Sequence, residues 1–169
     1  MRTVVADSGP LRYLVLIGAV DILPKRMGDV LIPSEVRDEL DRPQTPTPVR
    51  VWITAPPFWL TVRPRPDVMD SALAELDPGE RATIALALAV DADAVLMDDR
   101  AGVRAALAKG LAVLGTIGVL DRAARRSLVD LETAFTRLRA TNFRYPAALL
   151  ETLLEEHRRS ADGELPDGT

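Results

Sequence analysis

The chain has 169 residues, 47% of them hydrophobic, and a formal net charge of −4. That length suits one domain, the apolar fraction suffices for a packed core, and the acidic balance excludes a general electrostatic attraction to nucleic acid. With no cysteine and a single histidine, His157, disulfides, thiolate sites and imidazole-rich metal sites are excluded; any metal must be a hard cation held by oxygens, such as Mg²⁺ or Mn²⁺.

The opening MRTVVADSGP reaches an acid too early for a secretory signal, and no apolar run approaches the roughly 20 residues that span a bilayer. A cytoplasmic protein with no membrane partner is therefore expected. Thr3–Ala6 is a β-branched, apolar run that reads as a buried strand ending at Asp7. A helix is expected from Pro10, carrying Leu11, Leu14 and Ile17, and a second strand at Val30–Ile32. Pro33 and Ser34 start a helix with Val36 and Leu40 on its apolar seam, ending before Pro43. Pro43–Pro48 reads as a surface loop, followed by a brief apolar stretch through Trp52 and Ile53. Leu60–Val62 is a third candidate strand, and Arg63–Asp67 a proline-broken loop.

Asp77-Pro78-Gly79-Glu80 is the clearest local signal: an N-cap aspartate, proline at the first helical position, and glutamate where a capping box places it. The helix it opens runs to about Val90 and is apolar on most faces, so it packs between other elements. A strand at Ala94–Met97 closes on Asp98 and Asp99; a helix over Ala101–Lys109 ends at Gly110. Leu111–Leu114 is the last strand, and Gly115-Thr116 opens a helix to about Arg126. Two more helices are expected over Asp130–Arg139 and Pro146–Arg159, so that residues 1–159 form one domain and the polar 160–169 a disordered tail.

Short strands alternating with helices imply a parallel sheet with right-handed crossovers. Functional groups in such sheets collect beyond the carboxyl ends of the strands, where strand order switches. Asp7 and Asp98 both stand just past a strand. Like charges brought close raise each other's pKa, and a divalent cation relieves that repulsion. The competing reading of Asp7 is a loop aspartate capping the next helix, and of Asp98 and Asp99 an exposed turn. One of that pair can be a ligand while the other caps the following helix. Glu35 and Glu39 lie one helical turn apart, and spacing does not choose between them. Glu80 is already explained by the capping box.

VVADSGPLRYLVLIG, VLIPSEVRDEL and above all DPGERATIALALAVDADAVLMDDRAGVRAALAKGLAVLGTIGVL resemble, in order and spacing, the segments of PIN-like domains. The later half is similar to a bacterial and archaeal subgroup akin to VapC-type toxins. The resemblance covers roughly residues 3–145. It implies a three-layer α/β/α fold with a mostly parallel sheet of four or five strands, plus C-terminal helices. It makes Asp7, Glu39, Glu80 and Asp98 the acidic quartet, with Asp7, Asp98, Glu80 and Asp99 as candidate metal ligands. Ser8, Arg104 and Thr116 match the residues that would face substrate or order water. Such proteins are Mg²⁺- or Mn²⁺-dependent ribonucleases, often toxins neutralised by a small antitoxin protein, and a homodimer would supply a basic groove. Gly9 departs from the pattern where a second hydroxyl residue is usual, and Ser127 where glycine is.

Other features say less. Arg122, Arg125 and Arg126 share a helical spacing and fit either phosphates or a solvated face. Arg63 and Arg65 fit RNA contact or none, His157 is a surface residue, and Trp52 and Trp59 fit packing better than base stacking. Haloacid-dehalogenase-like phosphatases also open on a strand-terminal aspartate, but need a second one where Gly9 stands, and no Walker-type glycine loop is present. The non-enzymatic alternative is a degenerate domain of the same fold that binds RNA or a partner without cutting.

Overall fold

Five short strands, β1 (Thr3–Ala6), β2 (Asp29–Pro33), β3 (Leu60–Arg63), β4 (Ala94–Leu96) and β5 (Val113–Leu114), pair in the order β3-β2-β1-β4-β5, every pair parallel. The computed structural model describes residues 2–67 and 70–163. The period-two alternation of the strands divides the core between two faces. Val4, Ala6, Val30, Ile32 and Leu96 point to one layer, where they meet Leu11, Leu14, Leu120, Phe135 and Leu138. Val5, Leu31, Val95 and Met97 point to the other, against Ile84, Leu86, Ala87 and Ala106. The result is the three-layer α/β/α arrangement expected, with a sheet that is wholly parallel.

On the first face lie α1 (Ser8–Leu16), α2 (Ile22–Met27), α3 (Ser34–Leu40), α4 (Thr47–Thr54), α7 (Thr116–Ala124), α8 (Leu131–Arg139) and α9 (Ala147–Asp162). On the second lie α5 (Pro78–Ala89) and α6 (Arg100–Ala108). Chain order runs outward from β1 to β3 on one side, then returns to β4 and β5 on the other. The switch point of the sheet therefore falls between β1 and β4. Ala6 pairs with Leu96, and the Asp7 amide donates to the Leu96 carbonyl at 2.9 Å, so the residues just beyond those two strands are neighbours.

Four local readings change. Pro43–Pro48 is not a loop throughout, because α4 starts at Thr47 with Pro48 in its first turn, where proline has no helical N–H bond to lose. Val49 and Ile53, four residues apart, bury its apolar face. Ile22–Met27 forms a short helix that Pro24 concealed from a sequence reading. The first helix begins at Ser8 rather than Pro10. The last helix continues through Asp162, past the point where a tail was expected, and residues 164–169 lie outside the described residues. No helix among the described residues is long and apolar enough to cross a membrane.

Ser127, which stands where the related pattern has glycine, has φ +57°. It follows the carboxyl end of α7 in the left-handed region, where glycine has no Cβ to strain.

Candidate metal centre and active site

Each acid of the site arrives by a different local device. Asp7 leaves β1 and precedes α1 as its N-cap, yet makes no side-chain capping bond, so the capping reading of this residue fails. Its carboxylate is free to face the switch point and is only 7% exposed. On α3 the choice that spacing left open is made by tertiary contacts. Glu35 takes an ion pair with Arg65 at 2.8 Å, while Glu39 turns toward α5.

Gly79 is where the cluster closes. A Cβ at this position would stand 2.7 Å from Glu39 Oε2 and 3.5 Å from both Asp7 Oδ1 and Asp77 Oδ1. Three carboxylates from three elements thus surround one missing side chain. Asp77 caps α5 by accepting from the Glu80 amide at 2.9 Å. The reciprocal half of the capping box is absent: no hydrogen bond runs from the Asp77 amide to the Glu80 side chain among the described residues. Glu80 is instead 7% exposed and packs toward the start of α6, where a Gly102 Cβ would lie 3.4 Å from its carboxyl carbon.

Asp98 and Asp99 divide their labour. Asp99 caps α6, its Oδ2 accepting from the Ala101 amide at 3.0 Å, and the Gly102 amide points the same way at 3.5 Å. Asp98 is clamped from α7: the Thr116 amide donates to Oδ1 at 2.8 Å and the Thr116 hydroxyl to Oδ2 at 2.6 Å. Gly115 leaves the space for this, since a Cβ there would stand 2.8 Å from Asp98 Oδ1. Thr116, expected at the substrate, is wholly buried and holds Asp98 through both of these bonds. Gly9 is not a site of crowding; a side chain there would reach Asp98 Oδ2 at an ordinary 3.6 Å. Ser8 is half-buried in the first turn of α1, and Arg104 is exposed, lining with Arg100, Val103 and Asp98 a cleft of about 280 Å³.

The electrostatics follow from this packing. Burial above all, then the charges of Glu39, Asp77 and Asp98, push the Asp7 carboxyl from 3.8 up to about 7, partly offset by the adjacent Ser8 backbone amide. Burial, then Asp77, Asp99 and Asp7, likewise raise Glu80. Asp98 is raised by burial despite its two bonds to Thr116. None of the ion pairs among the described residues involves Asp7, Glu39, Glu80 or Asp98. The fold has gathered carboxylates and supplied no cation of its own. All-oxygen donors with uncompensated charge fit a hard divalent cation, although no three acids among the described residues are yet converged on one ion-sized point.

The arginines of α7 lie elsewhere. Thr116 starts α7 beside Asp98, whereas Arg122, Arg125 and Arg126 belong to its other end, and Arg125 pairs with Asp121 at 3.1 Å and with Glu156 at 3.8 Å. Asp77, Gly79 and Gly115, read from the sequence only as parts of helix starts, border the acids as well. The one available signal was a glycine immediately before a site residue, in Gly79-Glu80 and Gly115-Thr116.

The strand order and the flanking helices define a doubly wound α/β protein, with Asp7 and Asp98 just past its switch point. A family model described as a PIN domain matches residues 3–159, and the chain belongs to that family. PIN domains are generally nucleases that bind nucleic acid and use divalent metals. No curated protein matches the chain.

Proposed function

We propose that the protein is a Mg²⁺- or Mn²⁺-dependent endoribonuclease that hydrolyses phosphodiester bonds in single-stranded or structured RNA. One observation carries this: Asp7 and Asp98 stand just past the paired ends of β1 and β4, Glu39 of α3 approaches Asp7 at Gly79, Glu80 of α5 is buried next to that glycine, and no ion pair among the described residues involves any of the four. Asp7, Asp98 and Glu80 would hold the cation, and Glu39 completes the acidic set. Asp99, whose Oδ2 caps α6, is the less favoured alternative to Asp98 as a ligand. A bound divalent cation supplies charge neutralisation and Lewis acidity toward the phosphoryl group.

The chain's own residues do the rest. Thr116 fixes both oxygens of Asp98, so this carboxylate costs little reorganisation at the moment of reaction. Gly79 lets Glu39 approach Asp7, where it is placed to order and deprotonate the attacking water. Ser8, beside Asp7, is placed to hydrogen-bond the same water, and Arg100 and Arg104 flank Asp98 where phosphate oxygens would pass. Salt should weaken substrate binding, because phosphate contacts release counterions.

The similarity to VapC-type toxins supports a cytoplasmic toxin with a small antitoxin protein as partner, and a homodimer as the working form. The test is incubation of single-stranded RNA with protein and Mn²⁺, then with chelator, beside Asp7→Asn and Asp98→Asn. Cleavage lost in chelator and in both variants is expected. Cleavage that persists in pure Asp7→Asn protein overturns the mechanism. Binding of RNA without cleavage by the wild type would indicate the degenerate, RNA-binding alternative.

A further inference from the structure

A cleft of about 460 Å³ lies on the β3 side of the sheet, between α3, residues 70–74 and α5. Leu73, Ala74, Pro78 and Ala85 give it an apolar wall, and Arg65 and Arg81 give it guanidinium groups. Its volume falls within the range of small-molecule sites, roughly 300–1,000 Å³.

The charges of the lining do not cancel. Glu35 is neutralised by Arg65, and Asp70 by Lys109. Arg81 remains, half-buried and in no ion pair among the described residues. It sits four residues into α5, near the positive end of the helix dipole, where a cation is not favoured by the helix itself. An anion in the cleft would satisfy it.

The cleft adjoins the acids through two elements that they share. Pro78 lines the cleft, and the next residue, Gly79, faces Glu39 and Asp7; Glu35 lines it one helical turn before Glu39. Asp98, Arg100 and Arg104 form the cleft on the β4 side, so the acids lie between two arginine-bearing hollows. A polyanionic strand crossing the carboxyl edge of the sheet would run from one to the other.

We infer that the cleft on the β3 side is a subsite for one nucleotide of the RNA strand adjoining the scissile phosphate, with Arg81 taking its phosphate and the Leu73–Ala74–Ala85 wall its base. The inference rests on the nuclease reading. Arg65, held by Glu35, borders the site as a second donor. Recognition by an apolar wall and a phosphate contact tolerates different bases, because every base offers a flat face.

The experiment measures fluorescence anisotropy of single-stranded oligoribonucleotides, lengthened one nucleotide at a time at either end, in an Asp7→Asn background. One added nucleotide, at one end only, should tighten binding roughly tenfold, the gain expected for one charge-assisted contact to its phosphate. Arg81→Ala and the cleft-filling Ala85→Phe should each abolish that step, and Arg81→Lys should restore part of it. In proteins with Asp7 intact, both variants should shift the distribution of cleavage positions. Thermal melts establish that the variants fold, and Arg81→Ala carries the test if Ala85→Phe does not. Wild-type cleavage together with an unchanged length step in Arg81→Ala overturns the subsite alone. A wild-type protein that neither binds nor cuts RNA overturns the nuclease reading and the subsite with it.

Discussion

Replacing Asp7 with asparagine should stabilise the metal-free protein, and by an amount that grows with pH. Asp7 is buried among other acids, and its carboxyl is raised from 3.8 to about 7. A raised carboxyl favours the protonated form in the folded state, so the folded protein binds more protons than the unfolded chain between those two values. Its stability penalty is absent below 3.8, grows as pH rises through that window, and is complete above about 7. At roughly 1.4 kcal/mol for each tenfold in proton affinity, the full penalty is on the order of 4 kcal/mol, of which about 2–3 kcal/mol accrues between pH 5 and pH 8.5. Asparagine is close to isosteric, is an equally good N-cap, and sacrifices no capping bond, because Asp7 makes none. Chemical denaturation in chelator at both pH values measures the difference. The gain of Asp7→Asn over wild type should be about 2–3 kcal/mol larger at pH 8.5 than at pH 5, and Mn²⁺ should narrow it by stabilising the wild type preferentially. A gain that is the same at both pH values would refute the idea that Asp7 is an uncompensated buried acid.

The other expectations concern residues that the acids depend on. Thr116→Val keeps the shape but removes the hydroxyl bond to Asp98; it should cost about 1–3 kcal/mol in a denaturation midpoint and lower kcat at least tenfold in a cleavage assay. Gly79→Ala should improve the intrinsic helix propensity of α5 yet depress cleavage, since its Cβ would meet Glu39 Oε2; unchanged kcat would argue against a role for Glu39. Asp98→Asn should abolish cleavage, whereas Asp99→Asn, which still caps α6, should keep it within several-fold of wild type in the same assay. Ser127→Gly should raise stability by about 1 kcal/mol in thermal melts, because it relieves a left-handed residue without touching the site.

The strands and most helices were legible because their signals are local. Short continuous apolar runs mark β1, β2 and β4, and the Asp77-Pro78 start of α5 satisfies its own first turn. Proline hid α2 and part of α4, since a residue that breaks helix interiors is also tolerated in their first turns. Asp7 and Asp98 were legible as strand-terminal acids of a parallel sheet, whose geometry fixes where such ends collect.

Glu39 and Glu80 were not legible from the residues alone, and came only through family likeness. Periodicity assigns a residue to a face of its helix but does not say what that face meets. Glu35 and Glu39 share a face, and only the position of Arg65, from a different part of the chain, takes one of them away. The capping-box pattern at Glu80 was true for Asp77 and false for the glutamate, whose side chain follows the pull of the core rather than that of its own helix. Asp98 and Asp99 were equivalent in sequence until α6 claimed one and Thr116 the other. Sequence by itself determined the elements and the family, because hydrophobic period, caps and motif order act over a few residues. Tertiary structure decided which acids share a site, because their mutual approach depends on strand order and on two glycines, Gly79 and Gly115, that leave room for carboxylates contributed from elsewhere.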